Sequence, residues 1–105
     1  MKTSELTGAA LDWAVAKCEG RDYRRLDTGK WTTDCFQPTT DWSFGGPIIE
    51  REKIAVQSPN DKGWYARDYA FKTHMSGSTP LIAAMRCYVA SKLGDTIEIP
   101  KEIAK

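Results

Sequence analysis

This chain of 105 residues predicts an α+β fold, with two helices packed on a small, mostly antiparallel sheet. Three observations carry that expectation. Helical periodicity marks both ends of the chain, the stretch between them breaks into short β-like pieces, and turn-forming residues separate those pieces.

At the N-terminal end, Leu6, Ala9, Ala10, Trp13, Ala14 and Lys17 recur at three- and four-residue steps, which gives one apolar stripe. The alanine-rich run from Ala9 to Ala16 adds helix propensity. Thr3 and Ser4 are good capping residues, Glu5 suits the positive end of the helix dipole, and Gly20 is a natural stop. Gly8 is an unusual residue for a first turn. It points either to a later start, with Thr7 as the cap, or to a close backbone approach.

The C-terminal helix is the clearest element. Ser78-Thr79-Pro80 puts a capping hydroxyl before a proline at the first helical position. Leu81, Ile82, Met85, Tyr88, Val89 and Leu93 then form the apolar face, and Gly94 ends it. Thr96 to Ile99 alternates like a short strand up to Pro100, and residues 101–105 read as a frayed tail.

Between the helices, Tyr23 to Leu26, Trp31 to Phe36, Ile48 to Val56 and Trp64 to Phe71 are the candidate strands. Tyr65, Arg67, Tyr69 and Phe71 share a face of the last one. Ser58 to Gly63 has the composition of a loop, so Val56 and Trp64 are expected to flank a hairpin. There is no internal repeat, and the length is that of a single domain spanning 1–105. A chain of this size buries roughly 65% of its unfolded surface, enough to fold without metals or disulfides.

Charge and composition exclude several classes of function. Fifteen basic residues against fourteen acidic ones leave a formal net charge of +1, so no global field draws the protein to nucleic acid or an anionic membrane. The apolar runs are too short to span a bilayer or to serve as a signal peptide, so a cytoplasmic protein is expected. Cys18, Cys35 and Cys87 are widely spaced, with no CxxC and only His74 to join them, so neither a zinc site nor a disulfide framework is expected. No cofactor is implied.

The segment Phe36 to Glu50 stands apart. Phe36, Pro38, Thr39, Thr40, Asp41, Trp42, Gly45 and Gly46 put flat rings, hydroxyls, a carboxylate and a double glycine close together. Such a set recognises a small polar ligand with an aromatic part. It equally builds a turn whose Asp, Ser and Thr side chains bond their own backbone. Catalysis has less support: Asp41, Glu50, Glu52 and His74 share only nearness in sequence, and Gly45-Gly46-Pro47 matches no phosphate-binding glycine loop. No enzyme activity is expected. Arg21, Arg24 and Arg25 with Tyr23 and Trp31 form a solvated strand edge or a weak single-stranded nucleic-acid platform. Arg67 beside Tyr65 and Tyr69 serves packing or a ligand phosphate.

The chain also resembles the NinX family of small accessory proteins from lambdoid phages and prophages. The resemblance rests on Thr3 to Lys17, on Pro38-Thr39-Thr40-Asp41-Trp42 with Gly45 to Glu52, and on Gly77 to Asp95. Thr39 stands where the family has serine, and the stretch from Gln57 to Met75 is short and divergent. The resemblance implies a phage origin and an accessory role in the infected bacterium. A shorter likeness is to phage sponge proteins that sequester cyclic nucleotide signals of Thoeris-type immunity. It follows the order of helix Ala9 to Lys17, Gly20, strand Tyr23 to Leu26 and Pro38-Thr39-Thr40-Asp41-Trp42.

The resulting expectation is a non-catalytic, homo-oligomeric binder of a nucleotide-like ligand. Trp42 or Phe36 would stack the base, Thr39, Thr40 and Asp41 would bond ribose or base edges, and Gly45-Gly46 with Arg51 or Arg67 would meet phosphate. The alternatives are a module that modulates a host protein and, third, a nucleic-acid binder.

Overall fold

The computed structural model describes residues 2–20, 24–25, 31–32, 37–60, 63–70 and 72–98. A 3₁₀ turn, Thr3–Glu5, leads into helix α1, Gly8–Cys18. A two-residue ladder pairs β1, Arg24–Arg25, with β2, Trp31–Thr32. Helix α2, Trp42–Glu52, comes next, followed by β3, Ala55–Asn60, β4, Gly63–Arg67, β5, His74–Gly77, and helix α3, Pro80–Leu93. Strands β3, β4 and β5 form one antiparallel sheet in sequence order, so the fold is α+β with helices on an antiparallel sheet.

Helix α3 is the hub, touching all three of those strands, α1, α2 and the N-terminal turn. Its burial goes beyond the apolar face expected of it. Ala83, Ala84, Cys87 and Ala90 are buried along with Leu81, Met85, Tyr88 and Val89. A helix covered on several sides needs small residues where its neighbours come closest, and alanine supplies them. Its start is as expected: Thr79 caps it, its Oγ1 accepting from the Ile82 amide at 3.1 Å, and Pro80 occupies the first turn.

Sheet register sorts the strand residues onto two faces. Val56 pairs with Ala66, Ala66 with Met75, and Trp64 with Gly77, and these side chains join or pack on the core around α3. Gln57, Tyr65 and Ser76 line up on the opposite, exposed face, as do Ala55, Arg67 and His74. Gly77 lets β5 lie against α3, because a Cβ there would come 2.7 Å from the Ala83 amide nitrogen.

Several expectations are corrected. The α1 stripe is rotated: Leu11, Ala14 and Val15 are buried, whereas Ala9 and Lys17 are exposed. Leucine and valine bury more apolar area than alanine, and they decide the facing. Thr7 stands at the N-cap position without a side-chain capping bond, and Gly8 follows it at φ +53°, which explains the glycine. The expected strand from Ile48 is helical through Glu52, and strand geometry begins only at Ala55. Strand β5 lies outside the expected strands, and Thr96 contributes one isolated bridge to Lys2 in place of a strand. Phe36, Cys35 and the C-terminal tail lie outside the described residues.

Candidate functional site

The segment singled out from sequence divides into a turn and a helix. Gln37 C=O accepts from the amides of Thr40 at 3.2 Å and Asp41 at 2.9 Å, which winds residues 37–41 into a turn. Asp41 caps α2, its carboxylate accepting from the Ser43 amide at 2.9 Å and the Ser43 hydroxyl at 2.6 Å. Those two bonds favour the charged form and hold the Asp41 carboxyl below the usual carboxylate range. Gly45, Gly46 and Pro47 are poor helix residues, so α2 depends on packing, with Ile48 buried and Phe44 and Ile49 set against the core.

The turn is latched to α1. Thr39 is 3% exposed, and its amide and its hydroxyl both donate to one oxygen of Asp12, at 3.0 and 2.8 Å. Asp12 is itself buried on α1. Desolvation pushes its carboxyl above the ordinary value, opposed by the two Thr39 bonds. Thr39 and Asp41 are thereby committed to structure, and Thr40 and Trp42 face outward, Trp42 at 55% exposure.

Thr40 and Trp42 look across a gap to the start of α3. Thr39, Thr40 and Trp42 on one side and Thr79, Pro80 and Leu81 on the other enclose a cleft of about 270 Å³. Gly45 sets its width. A Cβ there would fall 2.5 Å from Leu81 Cδ2 and 2.6 Å from the Pro38 carbonyl oxygen, so only glycine lets α2, the turn and α3 meet. The cleft offers an indole for stacking, threonine hydroxyls at its rim, an apolar floor of Pro80 and Leu81, and the positive end of the α3 dipole.

The remaining expected site residues are placed differently. Pro38 is fully buried in the turn, and Gly46 lies beside Trp42, where a Cβ would be 3.9 Å from the ring. Arg51 sits nine residues along α2 from Trp42, about 14 Å at 1.5 Å per residue. There it grips Glu19 with two bonds of 3.0 and 2.6 Å and reaches Glu52 at 2.9 Å. Arg67 is on the exposed sheet face, lining a hollow of about 250 Å³ with Gln57, Tyr65 and His74. Neither arginine borders the cleft.

Sequence reading missed Asp12, Thr79 and Leu81 as parts of this site. An aspartate within an alanine-rich helix was the available signal for Asp12. Thr79 reads from the sequence only as a cap.

The described cysteines are unsuited to nucleophilic work as they stand. Burial raises the Cys18 thiol to about 11 and the Cys87 thiol to about 12, so neither is a thiolate at neutral pH. Among the described residues, no three His, Cys, Asp or Glu side chains group to hold a metal ion.

Fold and cleft together define a small α+β protein with a shallow aromatic and hydroxyl-lined recess at a helix start. The family model described as "Bacteriophage P22, NinX" matches residues 2–92, and the chain belongs to that family: it is a phage accessory protein. No curated protein matches the chain. Among the described residues, no helix is long and apolar enough to cross a membrane.

Proposed function

We propose that this protein is a non-catalytic binder that acts inside the infected host and captures a small, flat, polar ligand of nucleotide type in the cleft between Trp42 and the start of α3. One observation carries the reading: Trp42, a residue type usually covered, is 55% exposed at the rim of a cleft it shares with Thr40 and Thr79. The ring would stack the base, and the Thr40 hydroxyl, unlike that of Thr39, is not held by Asp12. The cleft's 270 Å³ falls just short of the roughly 300 Å³ at which small-molecule pockets begin. Capture is therefore completed by a second copy of the chain closing over the ligand. A sequestering role, as in the phage sponges, agrees with this design.

The test starts with full-length protein purified from phage-infected cells and denatured. Mass spectrometry should find a released small molecule in near-equimolar amount. The double variant Thr40→Ala, Trp42→Ala, which leaves Thr39 and Asp12 intact, should lose it. Retention by the double variant would sink this assignment. The second reading, a surface that binds a host protein, draws on Tyr69, 70% exposed, and Tyr65, 49% exposed. It gains if no small molecule is released and a stoichiometric host protein co-purifies.

A further inference from the structure

A larger recess lies on the other side of the β5–α3 turn. It encloses about 530 Å³ along the ends of β4 and β5 and is lined by Trp64, Tyr65, Ser76, Ser78 and Arg86. The other lining residues, Gly63 and Gly77, are glycines, so backbone borders the recess there.

Arg86 is the unusual member. Its Nε donates to the Leu6 carbonyl at 2.8 Å and its Nη1 to the Ser76 carbonyl at 2.7 Å. Two main-chain acceptors on different elements thus fix the guanidinium plane. A guanidinium has five N–H donors, so three remain after these bonds. Among the described residues no carboxylate pairs with it: the ion pairs there all belong to Arg51 and Lys92. None of the residues lining the recess is acidic. Arginines are normally paired when they leave water, and burial here depresses the Arg86 pKa with no acidic neighbour to oppose it.

We propose that this recess is an anion site, in which Arg86 binds the phosphate group of a small ligand whose flat part lies along Trp64. The guanidinium fork matches two phosphate oxygens, and its orientation is set in advance by the Leu6 and Ser76 carbonyls. Ser78 borders the same recess, and its hydroxyl would share a remaining oxygen. The proposal does not rest on the Trp42 cleft, with which the recess shares no residue.

The experiment is a titration of ¹⁵N-labelled full-length protein with inorganic phosphate and then adenosine monophosphate, at constant ionic strength against chloride. The Arg86 Nε–H and Trp64 indole signals are followed. Both should shift saturably with phosphate, with a dissociation constant on the order of 1 mM, and at least about tenfold tighter with the nucleotide. Arg86→Met should abolish saturation. Ser78→Glu, at an exposed position that leaves both carbonyl bonds of Arg86 in place, should weaken phosphate at least about tenfold, and it decides the matter if Arg86→Met does not fold. Phosphate shifts that stay linear and equal to those from chloride, or that survive Ser78→Glu unchanged, would overturn the proposal.

Discussion

Helix α2 is fastened at both ends, by opposite means. Ahead of its N-terminus, Thr39 gives two hydrogen bonds to Asp12, and both partners are buried. At its C-terminal end, Arg51 bridges Glu19 and Glu52, Glu52 also meets Lys92 at 3.2 Å, and Glu19 accepts from the Tyr88 hydroxyl. The second end has more bonds and full charges, yet the first should hold harder. Water can replace a partner at the exposed end, where the Arg51 side chain is 51% accessible. It cannot reach the Asp12 latch, so each group left alone there bears its full desolvation cost.

Breaking the latch should therefore produce the largest effect. Asp12→Ala leaves the buried Thr39 amide without an acceptor and should cost about 3 kcal/mol, read by urea denaturation. Asp12→Asn keeps an acceptor oxygen while removing a buried charge, so it should stay within about 1 kcal/mol of the parent at pH 7. The pair also predicts a pH response. Burial raises the Asp12 carboxyl, so between the ordinary carboxylate range and the raised value the folded state holds more protons than the unfolded state. Stability from this group therefore falls as pH rises through that window, and Asp12→Asn should remove that slope. Asp41 acts in the opposite sense. Its lowered carboxyl stabilises the fold above the ordinary range, and that contribution is lost as pH falls.

Second in size is Gly45→Ala, which strikes the same end from the other side. The new methyl meets the Pro38 carbonyl oxygen, a backbone atom tied into the turn, so neither partner yields cheaply. A loss of about 2 kcal/mol is expected, in the range for overpacked cores. The shift of Leu81 should also alter the cleft, so ligand release from this variant should fall more than its stability predicts.

These two positions show what was and was not legible in the sequence. The terminal helices were readable because Thr79-Pro80 and the alanine-rich run of α1 are local signals. The α+β class followed from the broken pattern between them. Helix α2 was not readable, because Gly45-Gly46-Pro47 marks a loop by every local rule and the helix depends on tertiary packing, with Ile48 buried, Phe44 and Ile49 against the core and Gly45 close to Leu81. The composition of segment 36–50 suits a ligand-binding surface and a self-bonding turn equally. Thr39 and Asp41 are tied into the turn, and Thr40 and Trp42 line the cleft beside Thr39 with exposed side chains. Spacing along a chain does not separate an inward threonine from an outward one when no periodicity governs the turn.

At the exposed end, Arg51→Ala should cost no more than about 1 kcal/mol in low salt, after allowing for solvent screening. The loss should shrink toward zero as sodium chloride rises toward about 1 M, where the Debye length is near 3 Å. The cost of Asp12→Ala should be nearly the same at both salt concentrations. Equal salt responses for the two variants would mean that α2 is fastened alike at both ends, which would remove the basis of the comparison.

The smallest effect tests the exposed end at its last residue. Lys53 closes α2 at φ 54°, a left-handed conformation that strains a side-chain-bearing residue, and its amine lies 5.1 Å from the Tyr69 ring. Lys53→Gly relieves the backbone but gives up the ring contact and adds freedom to the unfolded chain, so its net effect should be near zero. Tyr69→Ala removes the ring first, at little cost because Tyr69 is 70% exposed. In that background Lys53→Gly should stabilise by about 0.5 kcal/mol, since only the strain relief remains above the entropy term. If the gain is the same with and without Tyr69, the cation–ring contact contributes nothing. The C-terminal fastening of α2 would then rest on the charge network of Glu19, Arg51, Glu52 and Lys92 with Tyr88, and on the backbone cap.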